Sequence, residues 1–191
     1  MENNAHIVSR ASNASSVISP VTRQISPLLT VSAAGVTAVG IATGFIRYLD
    51  RSPIRESSAP GTSAWGQQLA VAAVACALYG VARWRHGRRF GRSSGRLLLL
   101  APLSRSAATR LMTTMRRVSW RSAAALPPLA LIGYNCWRAG DQVTAGLDPN
   151  FTVNAWGGPT YLGAMACHYL DCLLIMAACA WLLDRILLTK P

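Results

Sequence analysis

His168, Asp171 and Cys172 fall within five residues, in a stretch otherwise almost free of charge. On a helix, residues three or four apart share a face, with Cβ atoms about 5–6 Å apart. His168 and Asp171 would then meet as a pair, and Cys172 and Cys179 would extend the same stripe. An imidazole beside a carboxylate can relay protons, ligate a metal, or contact a quinone or haem. The same pair can also act as a hydrogen-bonded clasp that pins its helix to the neighbours. An ionisable pair inside an apolar segment marks a functional site by default, because a mid-membrane carboxylate costs about 2.5–3.5 kcal/mol on insertion scales. The other two histidines, His6 and His86, lie in an N-terminal tail and a basic loop. With no second histidine in any apolar window, neither a metal nor another cofactor is expected.

No other catalytic pattern is present. The five cysteines (Cys76, Cys136, Cys167, Cys172, Cys179) form no CxxC and read as small apolar packing residues. There is no phosphate loop, nucleophile elbow, HExxH or dinucleotide fingerprint. Asn150-Phe151-Thr152 matches a glycosylation sequon by pattern only. The chain is therefore not expected to be an enzyme.

The elements that hold the pair are apolar. Of 191 residues, 51% are hydrophobic and 14% charged, against about 25% charged in a soluble domain. Mean hydropathy is +0.28. This excludes a soluble enzyme, a secreted disulfide scaffold and a disordered chain. Charge-free windows run over 24–46, 57–82, 122–137 and 149–170, the last resuming after Asp171 to Leu183. A bilayer core takes roughly 20 helical residues. The windows predict an all-α integral membrane bundle of four transmembrane helices, near 28–48, 65–84, 120–138 and 160–183. The third window is short, at 16 residues, and holds Pro127-Pro128, so a re-entrant or tilted segment competes with a full span there. Asn135 near its end reads as an interface residue.

All six tryptophans (Trp65, Trp84, Trp120, Trp137, Trp156, Trp181) fall near window boundaries, where an indole meets both lipid and water. Small residues offer helix contacts. The first window carries a GxxxG, Gly40 to Gly44, and the second carries Ala70, Ala73, Ala77 and Gly80 along one face.

Arginine sets the orientation. Net charge is +12, and 18 of the 19 basic residues are Arg. Between the second and third windows, 83–121 has no acidic residue and holds Arg83, Arg85, Arg88, Arg89, Arg92, Arg96, Arg105, Arg110, Arg116, Arg117 and Arg121. Positive residues stay cytoplasmic, so this loop and both termini are expected inside a plasma membrane. Segments 49–64 and 139–159, the latter with Asp141 and Asp148 as outside-loop residues, are expected to face out. Residues 1–27, rich in Ser and Asn, read as a disordered tail ahead of a single membrane domain over 28–191. The first apolar run is longer than the 7–15 residues of a signal-peptide core and reads as a retained anchor.

The second half of the basic loop predicts an amphipathic helix. Leu111, Met115 and Val118 form a stripe flanked by Arg110, Arg116 and Arg117, suited to a bilayer surface. Its expected partners are the bilayer and anionic headgroups, at about 1 kcal/mol per Arg, with an acidic protein as an alternative. Zinc-finger, RNA-binding and helix-turn-helix patterns are absent, so nucleic acid is not an expected partner.

Ala155 to Asp171, AWGGPTYLGAMACHYLD, resembles small uncharacterised multi-pass membrane proteins of high-GC Gram-positive bacteria. That resemblance implies a bacterial plasma membrane and four helices, and no activity. Taken alone, the sequence favours a non-enzymatic accessory or scaffold subunit working through its Arg-rich loop. Its alternatives are a small transporter, proton-relay or redox protein using His168 and Asp171, and a membrane component of nucleic-acid handling. Polar groups facing Asp171 and a water-filled cavity beside it would favour the transporter class.

Overall fold

The computed structural model of the protein describes residues 25–90 and 100–188. Most of the tail read at 1–27 lies outside them, as do Arg92, Arg96 and the side chain of Arg89. Among the described residues six α-helices follow in order: α1 Pro27–Leu49, α2 Trp65–Phe90, α3 Arg105–Met115, α4 Trp120–Ala145, α5 Pro149–Thr152 and α6 Tyr161–Ile186. Among the described residues there is no strand, only an isolated bridge from Ile25 to Ser104. Three helical stretches, Pro27–Leu49, Trp65–Arg85 and Tyr161–Ile186, are long and apolar enough to cross a membrane.

Helix starts follow local chemistry. Ser26 caps α1 ahead of Pro27, a residue suited to a first turn because its missing N–H has no partner there anyway. Ser119 and Ser122 cap α4 reciprocally, and Thr160 caps α6.

The main correction concerns the third window. α4 does not stop at 138. It runs 26 residues, through Pro127 and Pro128, to Ala145. At 1.5 Å per residue that is about 39 Å, but the helix, with Arg121, Arg138 and Asp141 on it, is not among those long and apolar enough to cross a membrane. Asp141, read as an outside-loop residue, is helical and fully buried. Trp137 accordingly lies inside α4 rather than at a boundary, with its ring 5.7 Å from that of Tyr134.

α1 and α4 pack backbone to backbone. A Cβ on Gly40 would strike the Trp137 carbonyl, one on Gly44 the Asp141 carbonyl, and one on Gly140 the Thr37 carbonyl. The GxxxG pattern thus serves the contact that small residues permit. The Thr144 hydroxyl then bonds the Ile41 carbonyl at 2.9 Å. On its other side α4 meets α6, where Tyr161 and Tyr169 donate to the carbonyls of Val143 and Ala139 at 3.1 and 3.2 Å.

The second small-residue stripe does not behave this way. Ala70, Ala73, Ala77 and Gly80 are exposed, and α2 touches α6 only lightly. Leu69, Val74 and Leu78 also point outward, at 62%, 59% and 66% exposure. Soluble monomers rarely expose an apolar surface this continuous, whereas lipid accommodates it.

Two ends are distinct. At the basic end, Ser26 N–H donates to the Leu103 carbonyl, joining the start of α1 to the approach to α3. α3 is fastened to the end of α6. Arg110 forms an ion pair with Asp184 and donates to the carbonyls of Asp184, Leu187 and Leu188, while Arg121 reaches the Ile186 carbonyl at 3.2 Å. The Asp184 and Ile186 carbonyls have no partner within the helix and carry its negative dipole end, so guanidinium is a matched cap there. The amphipathic stripe is divided as a result. Leu111 and Met115 pack against Ala125, Leu183 and Leu187, while Val118 is fully exposed.

At the far end, the link 50–64 is tied to 146–160 by two asparagines. Asn150 Oδ1 accepts from Glu56 N–H at 2.9 Å, its Nδ2 donates to the Ile54 carbonyl at 2.7 Å, and Asn154 Oδ1 accepts from Ala59 N–H at 2.9 Å. The sequon amide is thus occupied in structure. Gly157 packs on the backbone of Gly163, and Gly158, with φ of +83°, takes the left-handed turn into α6 that a side chain would resist.

Candidate functional site

A polar cavity of about 510 Å³ opens at the far end, between α4, α6 and the two tied loops. Arg138 and Gln142 line it from α4, and His168, Asp171 and Cys167 from α6. Glu56, Phe151 and Trp156 close it from the loops. Each position follows from helical spacing. Arg138 and Gln142 are four apart, as are Ala164 and His168, and Asp171 is one turn further on.

The sequence pair is therefore brought to one site, with a different bonding pattern from a His–Asp clasp. The Asp171 carboxylate accepts from the Gln68 side-chain amide, at 3.3 Å on Oδ1 and 3.4 Å on Oδ2. Gln68 sits in the first turn of α2, is 6% exposed, and supplies the cross-helix partner. The His168 Nε2 is buried without a hydrogen-bond partner, as is the Gln68 Oε1. Gln68 escaped notice in the sequence because it is neutral, sits at the edge of its window and belongs to no motif. Only the cost of an unpartnered buried carboxylate at position 171 called for some such residue.

A second polar group, also missed, lies beside the cavity. Asp141 Oδ2 takes Arg47 Nη1 at 3.4 Å and Arg138 Nη1 at 3.3 Å, and its Oδ1 accepts from the Thr43 hydroxyl at 3.4 Å. The Arg47 guanidinium also lies 5.8 Å from the Trp137 ring centre, and that of Arg138 5.8 Å from Phe151. A charge-counting scan ends a helix at its first charge and cannot see that Arg138, Asp141 and Arg47 satisfy one another.

Of the basic-loop residues, Arg83, Arg85, Arg88, Arg116 and Arg117 are exposed, while Arg110 is committed to α6. Arg88 lies 4.1 Å from the Trp84 ring centre. Asn135 bonds the Leu131 carbonyl one turn back at 2.8 Å. Cys167, Cys172 and Cys179 are buried, and all five cysteines are free thiols. Among the described residues, no three His, Cys, Asp or Glu side chains converge as a metal site requires. The chain matches no protein-family model, no curated protein and no solved structure.

The cavity's chemistry follows from what is left unsatisfied. Arg138 already has Asp141. Asp171 has only a neutral amide, and among the described residues neither it nor Glu56 has a cationic partner. The site offers acceptors and negative charge within reach of solvent, on walls built from two rigid helices.

Proposed function

We propose that the protein is a four-span plasma-membrane protein, both termini cytoplasmic, whose outward-opening cavity admits a small polar solute for binding or transport. The observation that carries this reading is the cavity itself. Two helices bring Arg138, Gln142, His168 and Asp171 to the wall of one space of about 510 Å³ in the outer half of the bundle. Its volume falls within the roughly 300–1,000 Å³ of small-molecule sites. The Asp171–Gln68 bond ties α6 to α2 as a clasp would, and the buried His168 nitrogen beside the cavity is what such a tie alone leaves unpartnered. The four-span arrangement is supported by the length of α4, by the pairing of its charges, and by the alternation of helix ends between the basic and far ends.

A lipid-facing role at the basic end accompanies this. Arg83, Arg85 and Arg88 in the last turns of α2, and Arg116 and Arg117 just after α3, are exposed and suited to anionic headgroups. They hold the domain in register with an anionic leaflet.

The cavity reading is tested by cysteine accessibility. In full-length protein with its native cysteines replaced by serine or alanine, His168→Cys should react with a small membrane-impermeant methanethiosulfonate added from outside. It should stay unreactive from the cytoplasmic face. Leu173→Cys, on the outward side of α6 at 62% exposure, should resist the reagent from either side. A His168→Cys protein inert from both faces would overturn the reading.

A further inference from the structure

The unsatisfied groups of the cavity specify the sign and shape of what fills it. The Asp171 carboxylate lines the cavity and has one neutral donor, the Gln68 side-chain amide. Two buried atoms near that carboxylate in sequence or bonding, Gln68 Oε1 and His168 Nε2, have no hydrogen-bond partner. Formal charge points the same way. Arg47 and Arg138 share the single carboxylate of Asp141, giving +1 for that trio, while Glu56 and Asp171 add −2 on the cavity wall. Arg138 is itself on the wall but is paired with Asp141, so the site is left at −1. A bare metal ion is a poor fit, because no three metal-binding side chains converge among the described residues and the space is about 510 Å³. Aromatic wall, by contrast, is present. Trp156 stands at the opening, and Phe151 lies deeper with Arg138 5.8 Å from its ring.

We propose that this cavity binds a small organic ammonium, with Asp171 as its counter-ion and the Trp156 and Phe151 rings against its apolar part. An ammonium brings donors and positive charge to a wall carrying the Asp171 and Glu56 carboxylates, and aromatic faces attract its charge. The inference rests on the cavity being open to water, as proposed above.

The test uses the full chain in lipid nanodiscs and isothermal titration with benzylammonium, its neutral analogue benzyl alcohol, and benzoate. Benzylammonium is expected to bind, and the other two to bind at least about tenfold more weakly, the scale of one charge-assisted hydrogen bond. Asp171→Asn keeps an oxygen for Gln68, so its melting temperature should stay close to that of the parent. Its affinity for benzylammonium should fall about ten- to hundredfold. Glu56→Gln should weaken binding less, because Glu56 is exposed. Equal or tighter binding of benzoate would overturn the proposal, as would an Asp171→Asn protein with unchanged affinity. Displacement of benzylammonium by millimolar sodium or potassium would do the same by assigning the site to an inorganic cation. If methylammonium, propylammonium and benzylammonium all fail to bind, the labelling of His168→Cys separates two failures. Labelling from outside leaves the cavity reading standing and removes only the ammonium, whereas no labelling removes both.

Discussion

Asp141→Ala is expected to destabilise the protein by about 3–5 kcal/mol, the cost of removing one partner from a buried ion pair. The side chain is fully buried, and two guanidiniums converge on the same Oδ2 at 3.3 and 3.4 Å. Truncation leaves both arginines at the α1–α4 seam without a counter-charge. Arg47, half exposed, can turn outward, so most of the loss falls on Arg138, which is 27% exposed. Replacing the whole trio removes the stranded charge. Arg47→Met, Asp141→Leu and Arg138→Met together should recover most of the stability, because buried ion clusters exchanged for apolar residues of similar volume are often neutral. Thermal unfolding of the purified full-length protein in one detergent measures both. If Asp141→Ala melts with the parent, Asp141 is solvated and α4 ends before it.

Gly44→Ala should cost about 1–3 kcal/mol, the usual price of overpacking, and Gly44→Leu should separate α1 from α4. The added Cβ would fall on the Asp141 carbonyl and near the Thr144 hydroxyl, neither of which can yield without moving α4. Gly35 provides the internal comparison. It lies on the same helix with nothing within 4 Å of a Cβ, so Gly35→Ala should be neutral or gain up to about 1 kcal/mol in helix propensity. The same melting assay reads the pair. Equal effects at the two glycines would mean that α1 and α4 do not meet along this seam.

These two sites differ in how far the sequence revealed them. Gly40 and Gly44 declared themselves by spacing, since a GxxxG on an apolar helix is a statement about how close a neighbour can come. The same reasoning failed for Ala70, Ala73, Ala77 and Gly80, which lie exposed on α2. Small residues permit approach and do not supply the neighbour. Three helix spans were legible to within a few residues because each holds a long apolar stretch broken by at most one charge before its end. α4 was not, because the scan treats every charge as a cost. In the folded chain Arg138 and Asp141 are a turn apart on one helix and answered by Arg47 from another, and that pairing is long-range information. Asp171 and His168 stood out as ionisable groups in apolar surroundings, and the structure brings them to one cavity. The partner of Asp171, Gln68, and the neighbouring wall residue Gln142 carry no charge and so gave no signal. In the basic loop, Arg110 and Arg116 look alike in sequence. Only the docking of α3 against the end of α6 makes one of them a cap and leaves the other exposed.

The proposed outward opening of the cavity requires α4 to cross the membrane. Sided labelling of two exposed positions that flank it tests this most directly. Arg117→Cys and Asn154→Cys, introduced separately into otherwise cysteine-free full-length protein, are exposed to an impermeant maleimide in right-side-out and inverted vesicles. Asn154→Cys should label only in right-side-out vesicles and Arg117→Cys only in inverted ones. Labelling of both from the same side would contradict the account, because α4 would then enter and leave the bilayer on one face.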